Sequence, residues 1–372
     1  MKIEVYKSIS EIGEERWSQF VSKRFFLSYN YLYTLEKACS QLDYRYTIYT
    51  LDGVFQGLCY FQLIPFSGNN LNQYLPENNR FLRYVFGTIL SQINTNLLVL
   101  GNVIFTCENG VLLTSDALIS AEEIVSSSLK VATSSAERNV MASMISENIK
   151  GLSSNIYCRN NFHEFKVEDR MEIDLGRFND FAHYERELQS KYRVRMHKVI
   201  ELNEQVETIS ITSDNFDLYR SQVNQLFMEV LTHSKFKLTT ISVDYFSEFL
   251  KNVPRFQMLG YKRGEDLVGF VTYFKLDSII EVHYIGFNYN YNHSNKLYNY
   301  ILYDILKKAF EWNISKICYG RTAQELKSTL GATPFSTSSS LKLKNPLLNY
   351  LTPVFLGKMI PSAWVQRHPF KK

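Results

Sequence analysis

Cysteine is scarce in this 372-residue chain: Cys39, Cys59, Cys107, Cys158 and Cys318 are far apart, odd in number and never in a Cys-x-x-Cys pair. That argues against a disulfide framework and a thiolate zinc site, and favours a reducing compartment. No apolar run approaches the ~18 residues of a membrane span. Charge in Met1–Lys7 stands where a signal peptide needs its apolar stretch. These absences lead to the expectation of a soluble, cytoplasmic protein that holds no metal. Charge of one sign is lacking too: 41 Lys and Arg oppose 37 Asp and Glu, for a net +4. The balance permits an anionic partner without requiring one, and no recognisable module points to DNA. Glycine is thin, with 16 residues against 25 Tyr and 26 Phe. What remains is a globular composition, 45% hydrophobic and 21% charged, on a chain too long for one ordinary core. Two domains are expected.

Apolar periodicity predicts the same order of elements twice. In the first half, helices at Glu11–Phe20 and Tyr31–Cys39 precede a hairpin, Tyr44–Leu51 and Val54–Pro65, around Asp52-Gly53. An Asn-rich loop (Asn69–Arg80), the apolar runs Phe81–Leu90 and Leu97–Phe105, a helix (Ala121–Arg138) and a strand (Val140–Ser146) follow. Lys166–Leu175 alternates like a strand. In the second half, helices at Phe181–Leu202, Leu218–Leu231 and Val243–Lys251 precede the strands Phe256–Tyr261, Leu267–Lys275 and Ile279–Phe287. A polar loop (Asn288–Asn295), a helix (Lys296–Trp312) and a strand (Ser315–Tyr319) complete it. The pattern divides the chain into residues 1–168, 169–345 and a tail, 346–372. The tail is apolar, contains prolines and ends in Arg367-His368-Pro369-Phe370-Lys371-Lys372. It suits either a peripheral contact with an anionic membrane surface or packing back across the domains.

Three stretches carry a family resemblance: the basic helix Lys191–Lys198; Thr232-His233-Ser234-Lys235-Phe236 with Asp244-Tyr245-Phe246; and Gly320–Ala332. Together they resemble the GNAT (N-acetyltransferase) superfamily. Within it they are most similar to tandem-GNAT proteins related to Fem-type peptidoglycan aminoacyl transferases, the peptidoglycan-biosynthesis or BioF-like acetyltransferase-domain subgroup. The resemblance implies an α/β (α+β) chain of two tandem GNAT-like domains, each a mixed central sheet flanked by helices, with a degenerate first domain and the site in the second. It implies transfer of an acyl or aminoacyl group to an amine on an amino sugar, peptide or cell-wall-type precursor. The donor would be acyl-CoA or aminoacyl-tRNA. Lys235 looks like the basic residue that Fem-type relatives place before Phe. GNAT domains cradle the CoA pyrophosphate in a glycine-rich turn at a helix N-terminus, but Asn288–Asn295 has no glycine. Asn reaches the left-handed conformations Gly would supply, though less freely. Asn290, Asn292, Asn295 and Lys296 are therefore the candidate cofactor-binding residues.

Amine acylation needs a base for the acceptor nitrogen, a polarised carbonyl and a proton for the leaving group. Strict alternation along Ile279–Phe287 puts Glu281, His283, Ile285 and Phe287 on one face and Val282, Tyr284 and Gly286 on the other. Glu281 or His283 would serve as general base and Tyr284 as proton donor; the alternative is a plain strand with polar residues facing solvent. In Gly320–Ala332, Thr322 and Glu325 have the spacing of a capping box and Gly331 that of a helix C-cap. Tyr319, Arg321 and Lys327 remain as a clamp for a substrate anion; the alternative for Arg321 and Lys327 is that they are surface charges. Lys191, Arg195 and Lys198 form one helical stripe, suited to phosphate or to ion pairs with Glu185 and Glu187. A second function class stays open: a non-catalytic GNAT-fold protein that binds an anionic glycan, nucleotide or lipid.

Overall fold

Asp52 (φ 50°) and Gly53 (φ 84°) are both left-handed, the geometry that lets a two-residue turn follow the twist of its strands. They join two strands of the first sheet. The computed structural model describes residues 2–67, 84, 87, 88, 91, 94–105, 109–137, 139–147, 160–233, 239–357 and 361–371. The expected loop Asn69–Arg80, most of Phe81–Leu90, Cys107, Cys158 and Lys235 lie outside the described residues.

The chain divides into two compact units. One comprises Met1–Val167, Phe236–Ile241 and Ser338–Ile360, the other Glu168–Lys235, Ser242–Thr337 and Pro361–Lys372. Neither unit is contiguous, so the stretch 338–345 and the tail are apportioned differently from the sequence-based division. Up to Val167 the strands are β1 (Lys2–Tyr6), β2 (Asp43–Leu51), β3 (Val54–Ser67), β4 (Asn94–Leu100), β5 (Val111–Leu113), β6 (Val140–Ile145) and β7 (His163–Lys166). The second unit contributes β8 (Arg170–Asp174), β9 (Glu207–Ile211), β10 (Phe256–Arg263), β11 (Asp266–Lys275), β12 (Ile279–Phe287), β13 (Lys316–Cys318) and β14 (Thr333–Phe335). The last strand is β15 (Ser338–Leu343).

The first sheet is ordered β1-β2-β3-β4-β6-β15-β7, with β5 on β3, and the second β9-β10-β11-β12-β13-β8-β14. Among the described residues only β4 with β6 and β12 with β13 run parallel. The two orders correspond position by position, which makes the duplication expected from the sequence a fact of topology. They also reveal an exchange. The strand that follows β7 enters the second sheet between β13 and β14, and the strand that follows β14 enters the first sheet between β6 and β7.

Each sheet buries one face under a crossover helix. Helix Ala121–Ser134 sets Ile124, Val125, Leu129 and Ala132 against Phe61, Leu98 and Ile145. Helix Leu297–Glu311 sets Leu297, Ile301, Ile305 and Ala309, which recur at helical spacing, against Val271, Ile280, Val282 and Ile317. Each such Leu, Ile, Val or Phe side chain contributes about 1.5–3 kcal/mol when fully buried. The helix expected over Phe181–Leu202 is in fact two, Phe181–Glu187 and Ser190–Glu201. It breaks because Leu188 is extended and bridges to Phe370 of the C-terminal segment. Helix Pro346–Leu356 leaves Leu347, Tyr350 and Val354 exposed. Among the described residues no helix is long and apolar enough to cross a membrane.

The exchange predicts how fragments behave. Residues 1–167 alone leave β6 with an open edge and β7 with no strand to pair, so this fragment should aggregate. Fusing residues 338–360 to its end through a flexible linker should yield a soluble monomer with β-rich circular dichroism. Equal solubility of the two fragments would contradict the role given to β15.

Candidate active site

β12 departs from simple alternation. Val271 of β11 faces Ile285 and Tyr273 faces Val282, so Thr272 alone opposes both His283 and Tyr284. This is a β-bulge, held by the Tyr284 N–H donating to Thr272 Oγ1 at 3.0 Å. The extra residue shifts the phase of the strand. Tyr284 therefore joins His283 on the face under helices Phe216–His233 and Asp244–Asn252, where its ring meets Phe227 and Phe246. Ile285 and Phe287 turn to the opposite core with Val282. The face assignment from strict alternation is thus corrected for Tyr284, Ile285, Gly286 and Phe287.

His283 is boxed by aromatic rings from Tyr245, Phe256, Phe274 and Tyr284. Its Nε2 shares a 2.9 Å hydrogen bond with the Tyr245 hydroxyl. Burial disfavours the imidazolium and lowers its pKa to about 3, which makes it a poor base for an ammonium ion at neutral pH. Glu281 differs. Burial raises its carboxyl to about 7, against the pull of Arg170, a hydrogen bond with Cys318, and Lys316, and with a push from Glu172. A carboxylate that titrates there is matched to base catalysis near neutrality.

Register explains the surroundings of Glu281. It lies beside Cys318 of β13, which lies beside Glu172 of β8, which lies beside Thr333 of β14. Glu172 pairs with Arg170 at 2.8 Å and also with Lys316, while burial holds the Cys318 thiol well above its usual range. The parallel ladder of β12 and β13 ends at the Glu281–Cys318 pair; β12 continues to Phe287 without β13. Glu281 therefore sits at the crotch of a fork between two strands. Arg170, Glu172, Thr272 and Cys318 were not foreseen as site residues, and Tyr245 appeared only within a family pattern. Register across non-adjacent strands carries these neighbours, and no local signal announces it.

The remaining expected site residues are engaged locally. The Tyr319 hydroxyl donates to the Leu302 carbonyl at 3.2 Å. Lys327 is 2% exposed; its Nζ donates to the carbonyls of Tyr319 (2.6 Å) and Gly320 (3.4 Å), and burial lowers its pKa to about 7. It braces the turn after β13 and is no surface charge. Arg321 donates to Thr337 Oγ1 at 3.1 Å. The capping box is absent: left-handed Ala323 occupies the N-cap of helix Gln324–Ser328 with no side-chain cap, and Glu325 pairs with Arg367. Gly331 (φ 94°) is required where it stands, since a Cβ would strike the Phe370 ring at 2.2 Å.

The supposed polar loop Asn288–Asn295 is largely helical, Tyr289–Asn295, capped by Asn288 Oδ1. Asn292 Oδ1 takes the Tyr298 N–H at the start of the next helix (2.8 Å). Asn295 donates to the Tyr291 carbonyl, Lys296 to that of His293, and Asn290 is exposed. A pyrophosphate cradle needs such helix-start N–H groups free, so this segment does not fit the CoA pyrophosphate in that manner. Among the described residues no group of His, Cys, Asp and Glu is arranged to hold a metal ion.

Solved structures place this geometry. The chain superposes on the C-terminal domain of a putative lysylphosphatidylglycerol synthetase from Agrobacterium fabrum with a TM-score of 0.53 and 8% identity, over 95% of this chain and 98% of that one. FemX matches with a TM-score of 0.53 and 10% identity over 94% and 99% of the two chains. A tandem GNAT protein from the clavulanic acid biosynthesis pathway gives 0.53 and 9% over 93% and 99%. The fold is that of the tandem GNAT proteins. No family model and no curated protein matches the sequence. Within the tandem GNAT fold, the second unit carries the forked strands, the bulge and the near-neutral carboxylate.

Opposed titrations should be visible in stability. Between about pH 4.5 and 6.5, folded Glu281 keeps a proton that the unfolded chain releases, so its contribution to stability falls as pH rises. Over the same window the unfolded chain holds a proton on His283 that the folded state rejects, so that contribution rises with pH. Relative to the wild type, Glu281→Gln should shift the slope of stability upward and His283→Phe should shift it downward, each by up to about 1.4 kcal/mol per pH unit. Urea unfolding at pH 5 and pH 6.5 measures both; unchanged slopes would place the two groups in water.

Proposed function

We propose that this chain is an acyl or aminoacyl transferase that acylates an amine on an amino-sugar, peptide or cell-wall-type precursor, with Glu281 as general base. The observation that carries the reading is a carboxyl held near neutrality at the point where two parallel strands part. In this scheme the Glu281 carboxylate takes one proton from the acceptor ammonium, directly or through a water. The freed nitrogen lone pair attacks the acyl carbon, a C–N bond forms, and the ester or thioester bond to the donor breaks. The leaving oxygen or sulfur takes up a proton, for which Tyr284 is the phenol on the same sheet face, and the nitrogen's second proton then passes back to that phenol to leave a neutral amide. His283 stays neutral and, through Tyr245, holds the bulge side chains in place. Arg321 is the residue of the expected clamp best suited to an anionic group on the acceptor.

The self-satisfied segment Asn288–Lys296 favours a donor other than acyl-CoA, so aminoacyl-tRNA is the first donor to test. The resemblance of the sequence to Fem-type aminoacyl transferases supports the same choice. Such a reaction would take place in the cytoplasm. A non-catalytic binding protein of the same fold is the second reading, favoured by the absent cradle.

The test is incubation of the full chain with charged tRNAs and a panel of acyl-CoA thioesters, using amino-sugar and peptide acceptors. Transfer is expected with a rate that rises through an apparent pKa near 7. Glu281→Gln should lower kcat about 10²–10³-fold with unchanged circular dichroism and abolish that rising limb. Wild-type turnover by Glu281→Gln would sink the assignment of the base. No transfer from any donor would favour the binding protein.

A further inference from the structure

The second unit has a pocket of about 500 Å³ that the transfer chemistry does not use. Helix Ser190–Glu201 supplies Lys191, Tyr192 and Arg195 to its wall, and the Gln324–Ser328 helix and its following turn supply Glu325, Leu326 and Thr329. Arg367 of the C-terminal segment completes the lining. Tyr192 and Leu326 pack against the hydrophobic core, and Thr329 is buried with its hydroxyl on the Leu326 carbonyl, so the walls are fixed. Arg367 is positioned too. Its own N–H donates to Ser328 Oγ, the neighbouring Gln366 donates to the Ala332 carbonyl, and Gln189 ties down the carbonyls of His368 and Phe370.

The charge is one-sided. Glu325 is the sole carboxylate in the lining, and Arg367 already neutralises it. Lys191 and Arg195, one helical turn apart, have no carboxylate partner among the described residues. Glu185, the nearby acid on the preceding helix, is taken by His197. Two uncompensated cations, a third held opposite by a strapped segment, and an aromatic wall make a concave site for a compact anion.

We propose that this pocket binds the phosphate or pyrophosphate group of a small phosphorylated molecule, with Lys191 and Arg195 contacting the anion from one side, Arg367 from the other, and Tyr192 flanking the attached organic group. The proposal goes beyond the transfer reaction and stands whether or not Glu281 acts as a base.

The experiment is calorimetric titration of the full chain with inorganic pyrophosphate, with adenosine diphosphate and with uncharged tRNA, at low and at physiological salt. One pyrophosphate should bind per chain, and the nucleotide more tightly than pyrophosphate. Lys191→Gln and Arg195→Gln should each weaken binding about tenfold, the effect of one lost charge-assisted contact. Lys198→Gln, on the same helix but outside the lining, should leave it unchanged. Arg367→Gln should also weaken binding, but it can loosen the C-terminal segment, so the two helix variants decide. Absence of pyrophosphate binding would overturn the proposal. So would equal weakening by Lys198→Gln, which marks a diffuse surface charge, or binding of tRNA alone, which marks an extended polyanion.

Discussion

The short parallel ladder between β12 and β13 is the constraint on which the site depends. It holds from Ile279 with Lys316 to Glu281 with Cys318, and then the strands part. Had it continued, Glu281 would be one more residue in the middle of a sheet and no slot would open beside it. Because it stops there, the carboxyl stands where the strands part, while burial keeps its proton on to near neutrality. Glu172, pinned by Arg170 and Lys316, fixes the strand on the far side of Cys318. The ion pairs thus act on β8 and β13, and through them on the electrostatics of the fork.

The bulge opposite Thr272 is the second device. A strand can offer alternate residues only to a given face. By inserting one residue, β12 presents His283 and Tyr284 to the same side while still burying Val282 and Ile285 on the other. The aromatic box and the Tyr245 hydroxyl then hold the imidazole neutral. Two titratable side chains two residues apart are pushed in opposite directions, the carboxyl up and the imidazole down, by the same dehydrated surroundings.

Much of the fold was legible in the sequence. The Asp52-Gly53 turn, the apolar stripe of Leu297–Glu311 and the repeated order of elements all follow from local rules. Glu281 and His283 were legible as polar residues in an apolar strand. The failures share a cause, which is that tertiary neighbours decide. Tyr284 changed face because of a bulge whose partner is on another strand. Lys327 read as part of an anion clamp or as a surface charge because nothing local announces that two carbonyls and a packed turn await its ammonium. Thr322 and Glu325 had the spacing of a cap, but Arg367, more than forty residues away, claims the carboxylate and left-handed Ala323 displaces the hydroxyl. The strand exchange leaves no mark on periodicity at all, since β8 reads as an ordinary strand wherever it pairs and β15 was not read as a strand.

That exchange bears on how the protein is made. Synthesis runs from the N-terminus, and domains ordinarily fold in that order. Here β15 fills the place between β6 and β7, so the first sheet cannot close until Leu343 has left the ribosome. The second sheet can, because β8 through β14 emerge before β15. The sheet encoded first is therefore closed last, although the second unit still awaits residues 361–372 to seat Phe370 on its core. For most of translation its β6 edge is a hazard that either a chaperone or the emerging chain itself must cover.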